Sequence, residues 1–267
     1  MFAAKYFFSL IGLISVTMPG MAANIVVPGA YASTEATGEL AYPFVSPGTV
    51  RVEQWIRADQ FTAGNTYRLT GMALRTDSPS GGRFSVTDND FTIKIGSTTM
   101  TALTMSANLD SNFTNGFTTV FSAPLALTFG TQAVGPQPWS NFITFASVFD
   151  YTPSTGVNLL LDLMNVGGSV VTPLEGQTSC LAAPNPSGCN LDAIQVQVRS
   201  AATALRMRSA PGASTSVATV GLAGAAIEDR AFVIEFQATI LGTTPEPGTW
   251  AMMATGLAAL IAVKRRR

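Results

Sequence analysis

Two cysteines and three acid pairs are the groupings in this chain whose types and spacing could do chemistry. Cys180 and Cys189 stand in TSCLAAPNPSGCN and are the only 2 cysteines of the 267 residues. Between them Pro184, Asn185, Pro186, Ser187 and Gly188 are turn formers that let the chain reverse. An even count at this spacing, with no CxxC pair, predicts one structural disulfide in an oxidising compartment. Closing so short a loop stabilises a fold by roughly 2.5–3 kcal/mol in the chain-entropy picture.

Asp88 with Asp90, Asp150 with Asp162, and Glu228 with Asp229 are candidates for the two carboxylates of glycoside hydrolysis, which flank the bond that breaks. A chain with 16 acids always furnishes such pairs, so each is expected to be a turn former or a solvated strand end. The Asp88-Asn89-Asp90 triplet also has the oxygens calcium wants, but an EF-hand loop would need glycine at its sixth position and an acid at its twelfth, and Ile93 and Thr99 stand there. The chain has 0 histidines. This removes the commonest general base near neutral pH and the commonest metal ligand, and with them Ser-His-Asp triads, Cys-His pairs and His-built zinc sites. The glycines at 81 and 82 lead into no phosphate-cradling pattern. No catalytic, cofactor-binding or metal residue is expected. Trp55, Trp139, Tyr67 and Tyr151 could together stack a sugar, although such aromatics more often fill a core. The Asn-Phe-Thr at 112–114 fits the N-glycosylation pattern, a match expected to be chance.

The elements that must position these groups read as strands. Charged residues are only 12 % of the chain, about half the usual share of 25 %, too few for the outer faces of long amphipathic helices. Apolar, β-branched segments recur between turn signals: TVRVEQWI (49–56), YRLTGMALRT (67–76), FTIKIG (91–96), GFTTVFSAPLALTF (116–129), FITFASVFDY (142–151), VNLLLDLMNV (157–166), IQVQVRS (194–200) and AFVIEFQATI (231–240). In TVRVEQWI and the residue after it, Val50, Val52, Gln54 and Ile56 share one face, and Arg51, Glu53, Trp55 and Arg57 share the other, as in a half-buried strand. The YTPSTG stretch reads as a hairpin loop, Asn115-Gly116 as a turn, and residues 76–83 as a longer loop. Residues 201–227 fit a short helix or a strand followed by loop. The expected fold is all-β: one antiparallel β-sandwich over residues 24–242, jelly-roll-like in its topology, without the periodicity of a solenoid or propeller.

Both ends carry transport features. Lys5 and an apolar stretch at 6–16 form the n- and h-regions of a secretory signal, and small residues after Pro19-Gly20 place cleavage near Ala23, so residues 1–23 are the expected signal peptide. Without Lys5 and the terminal cations Lys264, Arg265, Arg266 and Arg267, 10 cations face 16 acids, a net charge near −6. An acidic body is a poor partner for nucleic acid.

Residues 248–263 carry no charge. As a helix they span about 24 Å, enough to cross a bilayer when terminal cations snorkel and the bilayer thins. Lys264, Arg265, Arg266 and Arg267 then act as the stop-transfer signal on the cytoplasmic side and put the domain outside. Ahead of the helix, Pro245 and Pro247 hold Glu246 in extended chain, accessible to a processing enzyme.

This order of Pro245-Glu246-Pro247, an apolar helix and terminal arginines over residues 243–267 resembles the PEP-CTERM sorting signal of exported proteins of Gram-negative bacteria. The resemblance implies processing by an exosortase, transient membrane residence, and a destination at the cell surface or in an exopolysaccharide or biofilm matrix. Gly248 stands where a serine often follows the tripeptide. The middle also resembles a set of uncharacterised domains on such proteins, through IVVPGAYASTEA after the signal, Pro43-Phe44, and FDYTPSTGVNLLLDL at 149–163. That likeness implies a β-rich fold and no activity. The expected function is therefore a non-catalytic surface or matrix protein; a secreted two-carboxylate glycoside hydrolase, a carbohydrate-binding module, or a permanently anchored periplasmic domain is the alternative.

Overall fold

The computed structural model describes residues 20–77, 82–130, 135–174, 189–195, 203–209, 227–228 and 230–241. They form β1 (Met21–Val27), β2 (Gly38–Leu40), β3 (Val50–Ile56), β4 (Tyr67–Leu74), β5 (Phe84–Thr98), β6 (Phe117–Phe129), β7 (Ser140–Tyr151), β8 (Asn158–Asn165), β9 (Ser169–Pro173), β10 (Leu191–Gln195), β11 (Ala204–Arg208), β12 (Ile227–Glu228), β13 (Arg230–Phe232) and β14 (Ile234–Ile240). The chain is all-β, with three single-turn 3-10 segments as its helical part among the described residues. Every pairing of named strands there is antiparallel.

A first sheet runs β1-β14-β4-β7, and a second runs β12-β11-β3-β8-β5-β6, with β9 also paired to β5. A small third sheet runs β13-β10-β2. Among β1, β3 to β8 and β14, taken in chain order, the first sheet uses the first, eighth, third and sixth strands, and the second uses the second, seventh, fourth and fifth. Successive strands β3, β4 and β5 thus alternate between sheets, as do β6, β7 and β8. One apolar cluster draws on both sheets: Leu69, Met72 and Phe236 from the first meet Val52, Phe91, Ile93, Leu161 and Leu163 from the second. Phe44 ties these layers to the third sheet, stacking on Phe91 and meeting Phe232 edge-on.

Three expectations are corrected by this arrangement. The YTPSTG stretch closes no hairpin, because β7 pairs with β4 while β8 pairs with β3 and β5. It is an arch that carries the chain from one sheet to the other, with Gly156 at φ 80° taking the left-handed turn. The second correction concerns β3, which is buried on both faces rather than half-buried. It lies between β8 and β11, and residues 99–116 cover the face that carries Arg51, Glu53 and Trp55. Third, AFVIEFQATI is two strands in different sheets, divided at Val233. Part of residues 201–227 settles as strand in β11.

Residues 1–19 of the predicted signal segment lie outside the described residues, and Met21, Ala22 and Ala23 already belong to β1. Residues 243–267 lie outside them as well. Among the described residues no helix is long and apolar enough to cross a membrane.

Candidate functional site

The β3-β8-β5 registers bring charged residues together on the outer face of the second sheet. Glu53 stands opposite Asp162, and Asp162 opposite Lys94. Period-two geometry puts Arg51 on the same face two residues before Glu53. The Arg51 guanidinium grips Asp162 through Nε, 3.0 Å from each carboxylate oxygen, and through Nη2 at 2.8 Å. Its Nη1 donates to Asp110 of the covering segment at 2.6 Å. Glu53 Oε2 accepts from Asn112 Nδ2 at 2.7 Å, whereas Oε1 accepts no hydrogen bond and has the Arg51 Nη2 at 3.7 Å.

Burial pushes the Glu53 carboxyl up to about 8, with the Asp162 charge adding to the rise and Asn112 and Arg51 opposing it. That shift favours the protonated form. Burial also pushes Asp162 up, against the pull of the Arg51 contact. Two carboxyls in unlike surroundings are the starting point for acid and base roles. Here, however, the Glu53 and Asp162 side chains are only 0 % and 2 % exposed. Trp55 Nε1 and Asn158 Nδ2 both donate to Met100 O at 3.0 Å, fastening the covering segment where it leaves β5. Gly96 lets the other end lie flat, since a Cβ there would collide with the carbonyl of Gly116 and the ring of Phe113. The cluster joins the sheet to its cover, and in this conformation neither carboxyl meets solvent.

Sequence spacing did not find the Glu53–Asp162 pair. Alternation placed Glu53 beside Arg51 on one face, but only the strand register adds Asp162. Of the pairs it did suggest, Asp150 and Asp162 lie in different sheets. Asp150 is on β7, paired with Arg68 Nε and Nη2 at 2.9 and 2.8 Å, and that hydrogen bonding holds its carboxyl below the usual range. Asp88 and Asp90 share β5, where the Asp90 amide donates to Asp88 Oδ1 at 3.0 Å; Asp88 is buried, Asp90 exposed, and burial raises Asp88 to about 6. Glu228 lies in β12 and Asp229 outside the described residues.

The aromatic residues form no platform. Trp55, Tyr67 and Tyr151 are buried, and the half-buried Trp139 ring packs over the Arg75 guanidinium at 4.7 Å. Asn112 is fully buried, holding Glu53 and the Ser106 carbonyl, so in the folded chain it offers no glycan acceptor.

A second polar group lies where β4 ends. One carboxylate oxygen each from Glu35, Asp77 and Asp192 lies within 4.8 Å of the others. Arg75, 1 % exposed, already supplies positive charge to this group: its Nε donates to Asp192 Oδ2 at 2.6 Å, and Nη2 donates to the carbonyls of Tyr31 and Thr34. Asp192 Oδ1 accepts from the Ala36 amide at 3.2 Å. The arrangement pins the loop after β1 onto β4 and β10.

Of the residues expected to carry transport, Pro245, Glu246, Pro247, Lys264, Arg265, Arg266 and Arg267 lie outside the described residues, as does Cys180. Cys189 is fully buried and is not a free thiol. Residues 243–267 match the family model of the PEP-CTERM protein-sorting motif. No curated protein and no solved structure matches the chain.

Proposed function

We propose that this chain is a non-catalytic exported protein, sorted through Pro245, Glu246 and Pro247 by an exosortase and delivered to the cell surface or an extracellular matrix. The observation that carries the reading is the PEP-CTERM motif over residues 243–267, which implies an exported, surface-directed substrate of that enzyme. In this reading residues 1–23 direct export, residues 248–263 hold the precursor in the inner membrane, and Lys264, Arg265, Arg266 and Arg267 stop transfer. Association with exopolysaccharide belongs to the same proposal.

The body is read as a jelly roll, supported by the strand order of the two large sheets. A Cys180–Cys189 bridge is assigned to it, and finding two thiols on unreduced secreted protein would refute that bridge. The non-catalytic reading is supported by the burial of Glu53 and Asp162 beneath residues 99–116. Substituting alanine for all three of Pro245, Glu246 and Pro247 tests the sorting reading. Membrane insertion should persist while the precursor accumulates; unchanged release would contradict it. A polysaccharide-binding and hydrolysis screen of the mature protein tests the role of the body, and turnover abolished by a single Asp or Glu substitution that leaves the fold intact would replace it with the enzyme reading.

A further inference from the structure

Four residues form a row across one end of the first sheet: Met21, Ile240, Tyr67 and Tyr151, each opposite the next. Just beyond the row, the Leu241 amide donates to Thr66 O at 2.8 Å, and the hydroxyls of Thr66 and Thr152 meet at 2.8 Å. Two loops complete this rim, residues 62–66 (TAGNT) before β4 and residues 152–157 (TPSTGV) after β7, and neither contains a charged residue. Exposed on them are Thr62, Ala63, Gly64, Thr152, Ser154, Thr155 and Gly156. In the next row inward, Arg68 and Asp150 neutralise each other at 2.8 Å. The opposite end of the sheet differs, with Glu35, Arg75, Asp77 and Asp192 gathered where β4 stops.

Chain length ties the uncharged rim to the bilayer. From Leu241 to the start of the apolar run at residue 248 the chain reaches at most about 25 Å, and to Pro245 about 14 Å. From Met21 back to the end of the apolar stretch at residue 16 it reaches at most about 18 Å. Both apolar stretches therefore leave the domain at one corner. The far rim stands a full strand away, about 27 Å along the eight residues of β4.

We infer that the rim made by residues 62–66 and 152–157 faces the lipid headgroups while the precursor is anchored, with the Glu35–Asp77–Asp192 end turned away. This rests on the reading above that residues 248–263 are inserted. An acidic body, with 15 acids against 10 cations over residues 24–242, is repelled by anionic lipid within a Debye length of about 8–10 Å. A rim of hydroxyls and amides without free charge allows close approach and can hydrogen-bond to headgroups. The processing enzyme then works in a gap of at most about 14 Å between the folded rim and the tripeptide.

The test places photoreactive benzoylphenylalanine at Ala63, at Thr155 or, as the far-rim control, at the exposed Pro138, two residues before Ser140, which stands opposite Leu74 at the far end of β4, in the full-length precursor. Membranes of the native host are illuminated, and lipid adducts are read by mass. Adducts several-fold more abundant at positions 63 and 155 than at 138 are expected. Equal adducts at all three, an excess at 138, or cross-links from 63 and 155 to protein alone would overturn the inference. Sedimentation and C-terminal mass from the same membranes read the anchoring separately. Sedimenting precursor without rim selectivity defeats the orientation alone, whereas a wholly soluble full-length precursor defeats the anchoring and the orientation with it.

Discussion

Met21 stands directly opposite Ile240 at the outer end of the β1–β14 pair, so the start of β1 and the end of the strand that precedes the sorting motif lie side by side. The last strand is held between β1 and β4, and its end is fixed again by the Leu241–Thr66 hydrogen bond. Folding of the body therefore sets where the sorting motif begins.

Cleavage after Ala23 would remove the first three residues of β1 and leave Asn24, Ile25, Val26 and Val27 paired with Gln237, Phe236, Glu235 and Ile234. Burial rises along the strand, from Met21 at 70 % exposure to Val27 at 0 %. A body starting at Asn24 should match one starting at Met21 in urea stability to within about 1 kcal/mol, whereas Val27→Ala should cost about 2 kcal/mol. Unfolding of the shorter body would place the cleavage site earlier in the chain.

Glu53 makes stability pH-dependent. Unfolded, it releases its proton near the ordinary value of 4.5, and folded it holds it to about 8. Between these limits the native state binds more protons than the unfolded one, so stability should fall as pH rises and level off above about 8. The full loss has an upper limit of about 5 kcal/mol. Glu53→Gln should flatten this slope in urea melts at about pH 5 and about pH 9. A slope unchanged in the variant would contradict the assignment.

Asp162→Ala should destabilise the body by about 3–5 kcal/mol, because it strips the buried Arg51 of its two-nitrogen partner. It should also reduce the pH slope of Glu53, by removing the neighbouring charge that helps keep that group protonated. Denaturation of the variant at two pH values checks both effects. A loss below about 1 kcal/mol would mean that the Arg51–Asp162 contact adds little to stability.

Asn141 ties the edges of the two large sheets. Its side chain accepts from the Thr128 amide at 2.6 Å and donates to the Thr128 carbonyl at 2.8 Å, substituting for a strand partner between β7 and β6. Its own backbone is left-handed, at φ 57°. Asn141→Ala should cost about 2–3 kcal/mol, and Asn141→Gly about 1 kcal/mol less, since glycine relieves the backbone but restores neither bond. Equal losses in the two variants would show that backbone strain plays no part.

Much of the strand content was legible because alternation and turn residues are local signals. YRLTGMAL, FTTVFSAPLALTF and NLLLDLMN became strands nearly as they read. Sheet membership was not local: YTPSTG has a hairpin's composition, yet its flanking strands find partners in different sheets. The polar face of VRVEQWI suggested water, but Trp55, Glu53 and Arg51 instead receive residues 99–116, a stretch in which the only structural signal was the Asn115-Gly116 turn. Asn112 shows why the site was missed, since its NFT context was read as a chance match and no local signal marks the buried bond to Glu53. The sorting tripeptide was legible because order along the chain, rather than tertiary contact, defines it.

The intact mass of the mature protein from the surface fraction of its native host tests the central claim most directly. A C-terminus at or near Pro245, Glu246 and Pro247, with residues 248–267 absent, is the predicted result. A surface-located chain that still ends in Arg267 would contradict it.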